Sequence, residues 1–277
     1  GQRSAALDLY KDAIAINEND ARPHIALAAA YIEAEPPDVA AAKAALAQAD
    51  KINPLDSSTS FWKARVAMAE RRMDDAQKFI DVAIRGEPNN AEYHFWYGRL
   101  FESVDSLFEA IREYEKAVAL NSRHALAFRA LGLAATSRNQ FEAARGYFEK
   151  YRLVAPHDQS VWVDVGLTYV RENRDPDALK IFEQVMARDA ANGLVLVEIG
   201  GIMARRGDDK GALESYRKAT KVDPEYGDGW CQFGTVAALD RPAKPPKDAI
   251  EALQKCLALD SSSPELKKTA QGALSQA

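Results

Sequence analysis

Few side chains in this chain could do chemistry, and their spacing does not bring them together. Four histidines, His24, His94, His124 and His157, are the obvious metal-ligand or proton-transfer candidates. No two stand at the i, i+4 spacing that sets a pair of imidazoles on one helical face, and no cysteine accompanies them. Ser215-Tyr216-Arg217-Lys218 fits the S-x-x-K spacing of an acylating serine beside a lysine, but the companion motifs of such a site are missing. Gly200-Gly201 and Gly207 make no phosphate cradle, because no strand precedes them to feed a glycine-rich loop into a helix. Carboxylates are scattered over polar faces instead of being paired in an apolar pocket. The expectation is a non-enzymatic chain without metal or cofactor.

The elements that hold these residues are helices. Alanine is abundant, Gly and Pro are sparse, and apolar residues recur at intervals of three and four, with no alternating strand pair. The 36 Lys+Arg against 41 Asp+Glu give a net charge of −5, which predicts no nucleic-acid partner. No apolar run approaches the roughly 18 residues of a membrane span, and GQRSAALDLY has no secretory core. A cytoplasmic location is expected, with the periplasm left open.

A pattern of large, small and large residues recurs at a constant stride. Trp162, Val165-Gly166, Tyr169, Ala178 and Phe182 are matched 34 residues earlier by Phe128, Leu131-Gly132, Ala135, Ala144 and Phe148. The same step forward gives Leu196, Ile199-Gly200, Met203, Ala212 and Tyr216. Proline closes several units, at Pro54, Pro88, Pro156 and Pro224, where it stops a helix. Such a period marks a helical solenoid, in which neither helix of a pair can bury its apolar stripe alone.

These residues resemble the tetratricopeptide repeat family, whose signature is W-x2-L-G-x2-Y, then A-x3-F, then P. The resemblance implies an all-α fold, a right-handed superhelical solenoid of antiparallel helix pairs. Seven units are expected, at 21–56, 57–90, 91–124, 125–158, 159–192, 193–226 and 227–263. The first is lengthened near Glu35-Pro36-Pro37-Asp38, and the last near Arg241-Pro242-Ala243-Lys244-Pro245-Pro246. Residues 1–20 match only a second helix, implying a fragment of a longer array, and 264–277 read as a capping helix. Gly98, Gly166 and their equivalents are expected to let the first helix approach the second closely. The aromatics at 114, 148, 182 and 216 are expected to fill space toward the next unit. Cys256 takes a small packing position on a second helix and Cys231 the other face of its first helix, so no disulfide is expected between them.

Family resemblance implies that the first helix of each unit lines a concave binding face. Carried onto this chain, the relevant places hold Phe61, Trp62 and Arg65, then Glu92, Phe95, Trp96 and Arg99, then Leu126, Arg129 and Leu133. Leu167 and Arg171 follow. Phe61-Trp62 and Phe95-Trp96 should form a double aromatic step with Arg65 and Arg99 beside it, the residue types enriched where partners anchor. Asp164 and Glu198 make the second half more acidic, with Arg171 and Arg205 as candidate counter-ions. The Lys and Asn pattern that grips chaperone tails is absent. The expected partner is a protein or peptide, an apolar segment carrying acidic residues. A small GTPase or a component of a bacterial pilus, motility or secretion machine is a narrower version. The alternative is a substrate-recruiting arm of a larger enzyme. Self-association through the open N-terminal half-unit is a further expectation.

Overall fold

Side-chain caps start several of the helices, chiefly the first helix of a pair. The computed structural model describes residues 2–239 and 245–275, and among these it holds sixteen helices and no strand. The chain divides into two compact units, Gly1–Ala134 and Ala135–Ala277. The first unit contains α1 (Gln2–Ile16), α2 (Ala21–Ile32), α3 (Val39–Ile52), α4 (Ser57–Ala69), α5 (Met73–Gly86), α6 (Ala91–Ser103), α7 (Leu107–Leu120) and most of α8 (Ala125–Ser137). Asp20, Asp56 and Asn90 precede α2, α4 and α6, and each side chain accepts a hydrogen bond from a backbone N–H of the first turn. Asp38, in the first lengthened segment, caps α3 in the same way.

The second unit runs through α9 (Phe141–Val154), α10 (Ser160–Arg171), α11 (Asp175–Met186), α12 (Gly193–Arg205), α13 (Asp209–Val222), α14 (Gly227–Leu239), α15 (Lys247–Ala258) and α16 (Pro264–Ser275). The second lengthened segment falls largely on 241–244, outside the described residues. Helix α16 packs on α14 and α15 and buries Ala270.

Close packing within pairs follows from the small residues. Ala76, Ala110, Ala144, Ala178 and Ala212 are all fully buried. A Cβ on Gly98 would come within 2.5 Å of the Tyr114 ring, and one on Gly166 within 2.3 Å of the Phe182 ring. The aromatic of the second helix therefore lies over the glycine of its own pair, rather than only reaching toward the next one. No larger residue fits beneath it without displacing the ring.

Cys231 and Cys256 are joined by a disulfide between α14 and α15, with Cα atoms 4.8 Å apart, which corrects the expectation that they stay unpaired. The reason lies in the direction of the fifth residue of the first helix. Phe61 holds that place in its unit and packs in one cluster with Ala83 of the second helix. Val197 and Ala219 share a cluster in the same way. Once the lengthened segment is allowed for, Cys231 and Cys256 occupy these two places. They face each other across the pair.

Candidate functional site

In the first unit, α4 and α6 are the first helices of successive pairs, and the 34-residue step places Trp62 and Trp96 at equivalent points. Both rings are half-buried. Between them lies Arg65, its guanidinium carbon 3.3 Å from the Trp96 ring centroid and 5.2 Å from that of Trp62. A planar cation on aromatic faces gains from the negative charge of the rings and sheds water doing so. Burial lowers the Arg65 pKa to about 10, against the opposing pull of Glu33 and Glu92.

Trp96 is itself oriented. Its indole Nε1–H donates to Glu92 Oε1 at 2.7 Å, one helical turn back on α6. The other Glu92 oxygen lies 3.3 Å from His124 Nε2. His124 Nδ1 accepts from the Ala127 N–H, so Nε2 carries the ring proton and faces the carboxylate. That contact, with the indole N–H, holds the Glu92 pKa below its ordinary value. The His124 ring also packs against Phe95, at 4.9 Å between centroids. His124 reads in the sequence as a residue of the link; its capping position before α8 is what sets it beside Glu92.

Phe61 and Phe95 are corrected from surface to core: both are buried. Phe61 stacks on Tyr93 at 4.7 Å, and Phe95 lies 5.8 Å from Tyr114. They support the tryptophans edge-on, at 5.2 and 5.5 Å, and leave the exposed surface to them. Arg99 is exposed and pairs with Glu102 at 3.3 Å. Arg129 is half-buried on α8, while Leu126 and Leu133 expose about half or less of their surface, 52% and 41%. The structure thus brings Trp62, Arg65 and Trp96 together, and buries Phe61 and Phe95 beneath the tryptophans.

In the second unit, Leu167 is half-buried against the cluster around Phe182 and Arg171 is exposed. Arg205 pairs with Asp175 at 2.7 Å, not with the acidic residues proposed as its partners. Glu198 makes no hydrogen bond or ion pair among the described residues, and burial raises its pKa.

Stacked antiparallel helix pairs with one packing code define a helical-repeat protein. Family models described as tetratricopeptide repeat match residues 37–94 and 109–159. The repeats within those residues are tetratricopeptide repeats, and the fold of the chain is a tetratricopeptide-repeat solenoid. Among solved structures, the chain is similar to a tetratricopeptide repeat protein from Parabacteroides merdae (TM-score 0.73, 13% identity, 92% of this chain and 98% of that one). It is also similar to Pseudomonas aeruginosa pilF (TM-score 0.61, 19% identity, 81% and 95%). Protein FlbA of Caulobacter vibrioides is 22% identical over 125 residues, which are 45% of this chain and 21% of that protein. The match spans about a fifth of that relative's length.

Proposed function

We propose that this chain is a non-enzymatic interaction scaffold that holds a peptide or protein segment on the first-helix face of its first unit, within a larger bacterial assembly. The observation that supports the reading is the Trp62–Arg65–Trp96 stack: two half-buried indoles and a largely shielded cation, fixed from beneath by Phe61 and Phe95. Large rigid rings beside a desolvated arginine are the composition of interface anchors. The test is selection from a random peptide display library with the wild type and with Trp62→Leu/Trp96→Leu. Leucine is preferable to alanine because both rings also pack on buried clusters. Wild type should enrich a peptide class that the variant does not retain while its helical circular dichroism stays unchanged. Equal retention by both would remove the assignment.

A second reading concerns compartment. The Cys231–Cys256 disulfide favours an oxidising location such as the periplasm over the cytoplasmic expectation, since cytoplasmic thiols are kept reduced. Alkylation and mass spectrometry of the chain recovered from its host should find both cysteines protected. Two alkylated thiols would count for the cytoplasm.

A further inference from the structure

Arg65 is short of acceptors. A guanidinium carries five N–H donors, and stacking on ring faces satisfies none of them. Among the described residues the Arg65 side chain makes no hydrogen bond, although only 13% of it is exposed. Its nearest anion is Glu33, the residue that ends α2, with Nη1 to Oε1 at 3.9 Å, too long for a hydrogen bond. Glu33 is 58% exposed, so water competes for its charge. The other nearby carboxylate, Glu92, accepts from the Trp96 indole and has its second oxygen 3.3 Å from His124 Nε2. Arg99, which also bears on Arg65, is paired with Glu102. The local surplus is one desolvated donor fork facing a weakly held internal anion.

We propose that this fork takes one aspartate or glutamate side chain of a partner segment between Trp62 and Trp96, and that Glu33 is the internal competitor this carboxylate displaces. The inference rests on the reading of the α4 and α6 face as a partner surface. Charge and shape select the occupant. A carboxylate matches the guanidinium bidentately, and such charge-assisted pairs are about twice as strong as neutral ones. Apolar surface borders the fork, since Leu27 and Tyr31 of α2 pack on the same cluster as Trp62. An acidic side chain within an apolar segment engages the fork and leaves its apolar neighbours to lie on this surface.

The experiment follows the indole N–H resonances of the full chain during titration with three short probes. These are acetyl-Ser-Leu-Glu-Leu-Ser-amide, the same peptide with Gln for Glu, and the Gln peptide with a free C-terminal carboxylate. The Glu probe should shift the Trp62 and Trp96 resonances and bind roughly tenfold tighter than the blocked Gln probe, as a charge-assisted pair implies. Glu33→Gln should tighten the Glu probe by roughly threefold, the scale of an exposed ion pair, and leave the Gln probe unchanged. Arg65→Met should abolish the preference for Glu. Glu33→Gln replaces an exposed side chain and carries the test should Arg65→Met fail to fold. Equal shifts by the Glu and blocked Gln probes would overturn the carboxylate fork and leave the surface assignment standing. Tighter binding of the free-carboxylate probe would overturn the choice of a side chain. No indole shift with any probe would overturn both the fork and the surface.

Discussion

His94 faces an acceptor at each ring nitrogen. Glu113 Oε2 lies 2.6 Å from Nδ1, and the Pro88 carbonyl 2.9 Å from Nε2. Both contacts are satisfied only when both nitrogens donate, so the pocket selects the imidazolium and the Glu113 bond raises the His94 pKa. Burial pushes Glu113 up, but hydrogen bonds from His94 and from Lys116, 2.6 Å from its other oxygen, outweigh it and the pKa is lowered. The signs then follow. The raised histidine contributes stability that is full below its ordinary value of 6.5 and is lost as pH rises through the folded value. The lowered glutamate contributes above its ordinary value of 4.5 and is lost as pH falls through the folded one. Amide exchange of α6 and α7 between pH 6 and 9 should therefore report a stability falling with pH in the wild type. His94→Gln should lack that slope, and parallel profiles would refute the assignment. His94 stands 34 residues before Phe128, at the large place of the first helix, so its burial is legible in the repeat. Its charge is not, because Glu113 stands on the second helix and nothing local marks the pair.

At the scale of the element, the stride is written in the backbone as well as in the side chains. Arg71, Asp105, Asn139, Asn173 and Gly207, each 34 residues from the next, take positive φ between 57° and 77°. The following residue in each case donates its N–H five residues back, as from Arg72 to the Ala67 carbonyl at 2.9 Å and from Asp208 to Met203 at 3.0 Å. This is the left-handed helix ending in which one bond spans the last turn. Glycine holds that conformation without cost, whereas a side chain is opposed by roughly 1 kcal/mol. Gly207→Ala should then lower stability by about 1 kcal/mol, all of it conformational, since an added Cβ would meet nothing within 4 Å. Arg71→Gly should raise it by about 0.5 kcal/mol, because the exposed arginine makes no bond that would be lost. Chemical denaturation of both variants checks the pair, and effects of the same sign would show that backbone strain is not the cause. These turns were not read from the sequence, as four different residue types fill one role. The Gly, Ala and aromatic code was legible because close packing admits so few alternatives. The inward direction of the fifth place was missed at Phe61, Phe95 and Cys231. A signal was present all the same: a small residue, Ala83 or Ala219, stands opposite a large one, as expected of two positions that touch.

For the molecule as a whole, the consequence of a repeat architecture is that stability is local. Each helix pair packs chiefly on its neighbours, so constraints in one place fade within a repeat or two. The Cys231–Cys256 disulfide closes a sequence separation of 25 residues within the second unit and ties α14 to α15. On the chain-entropy account a loop of that size contributes about 3 to 4 kcal/mol. Both sulfurs are fully buried among Phe233, Leu253 and Ala270, and α16 packs on the same helices, so the clip also supports the final helix. Hydrogen exchange with and without prior reduction should show faster exchange in α14, α15 and α16, and unchanged rates in α4 to α7 of the first unit. Partner capture through Trp62 and Trp96 should survive reduction as well, because the helices that carry them are held by their own glycine and alanine packing. Acceleration throughout the chain would mean that the units unfold as one cooperative body and that stability is not local.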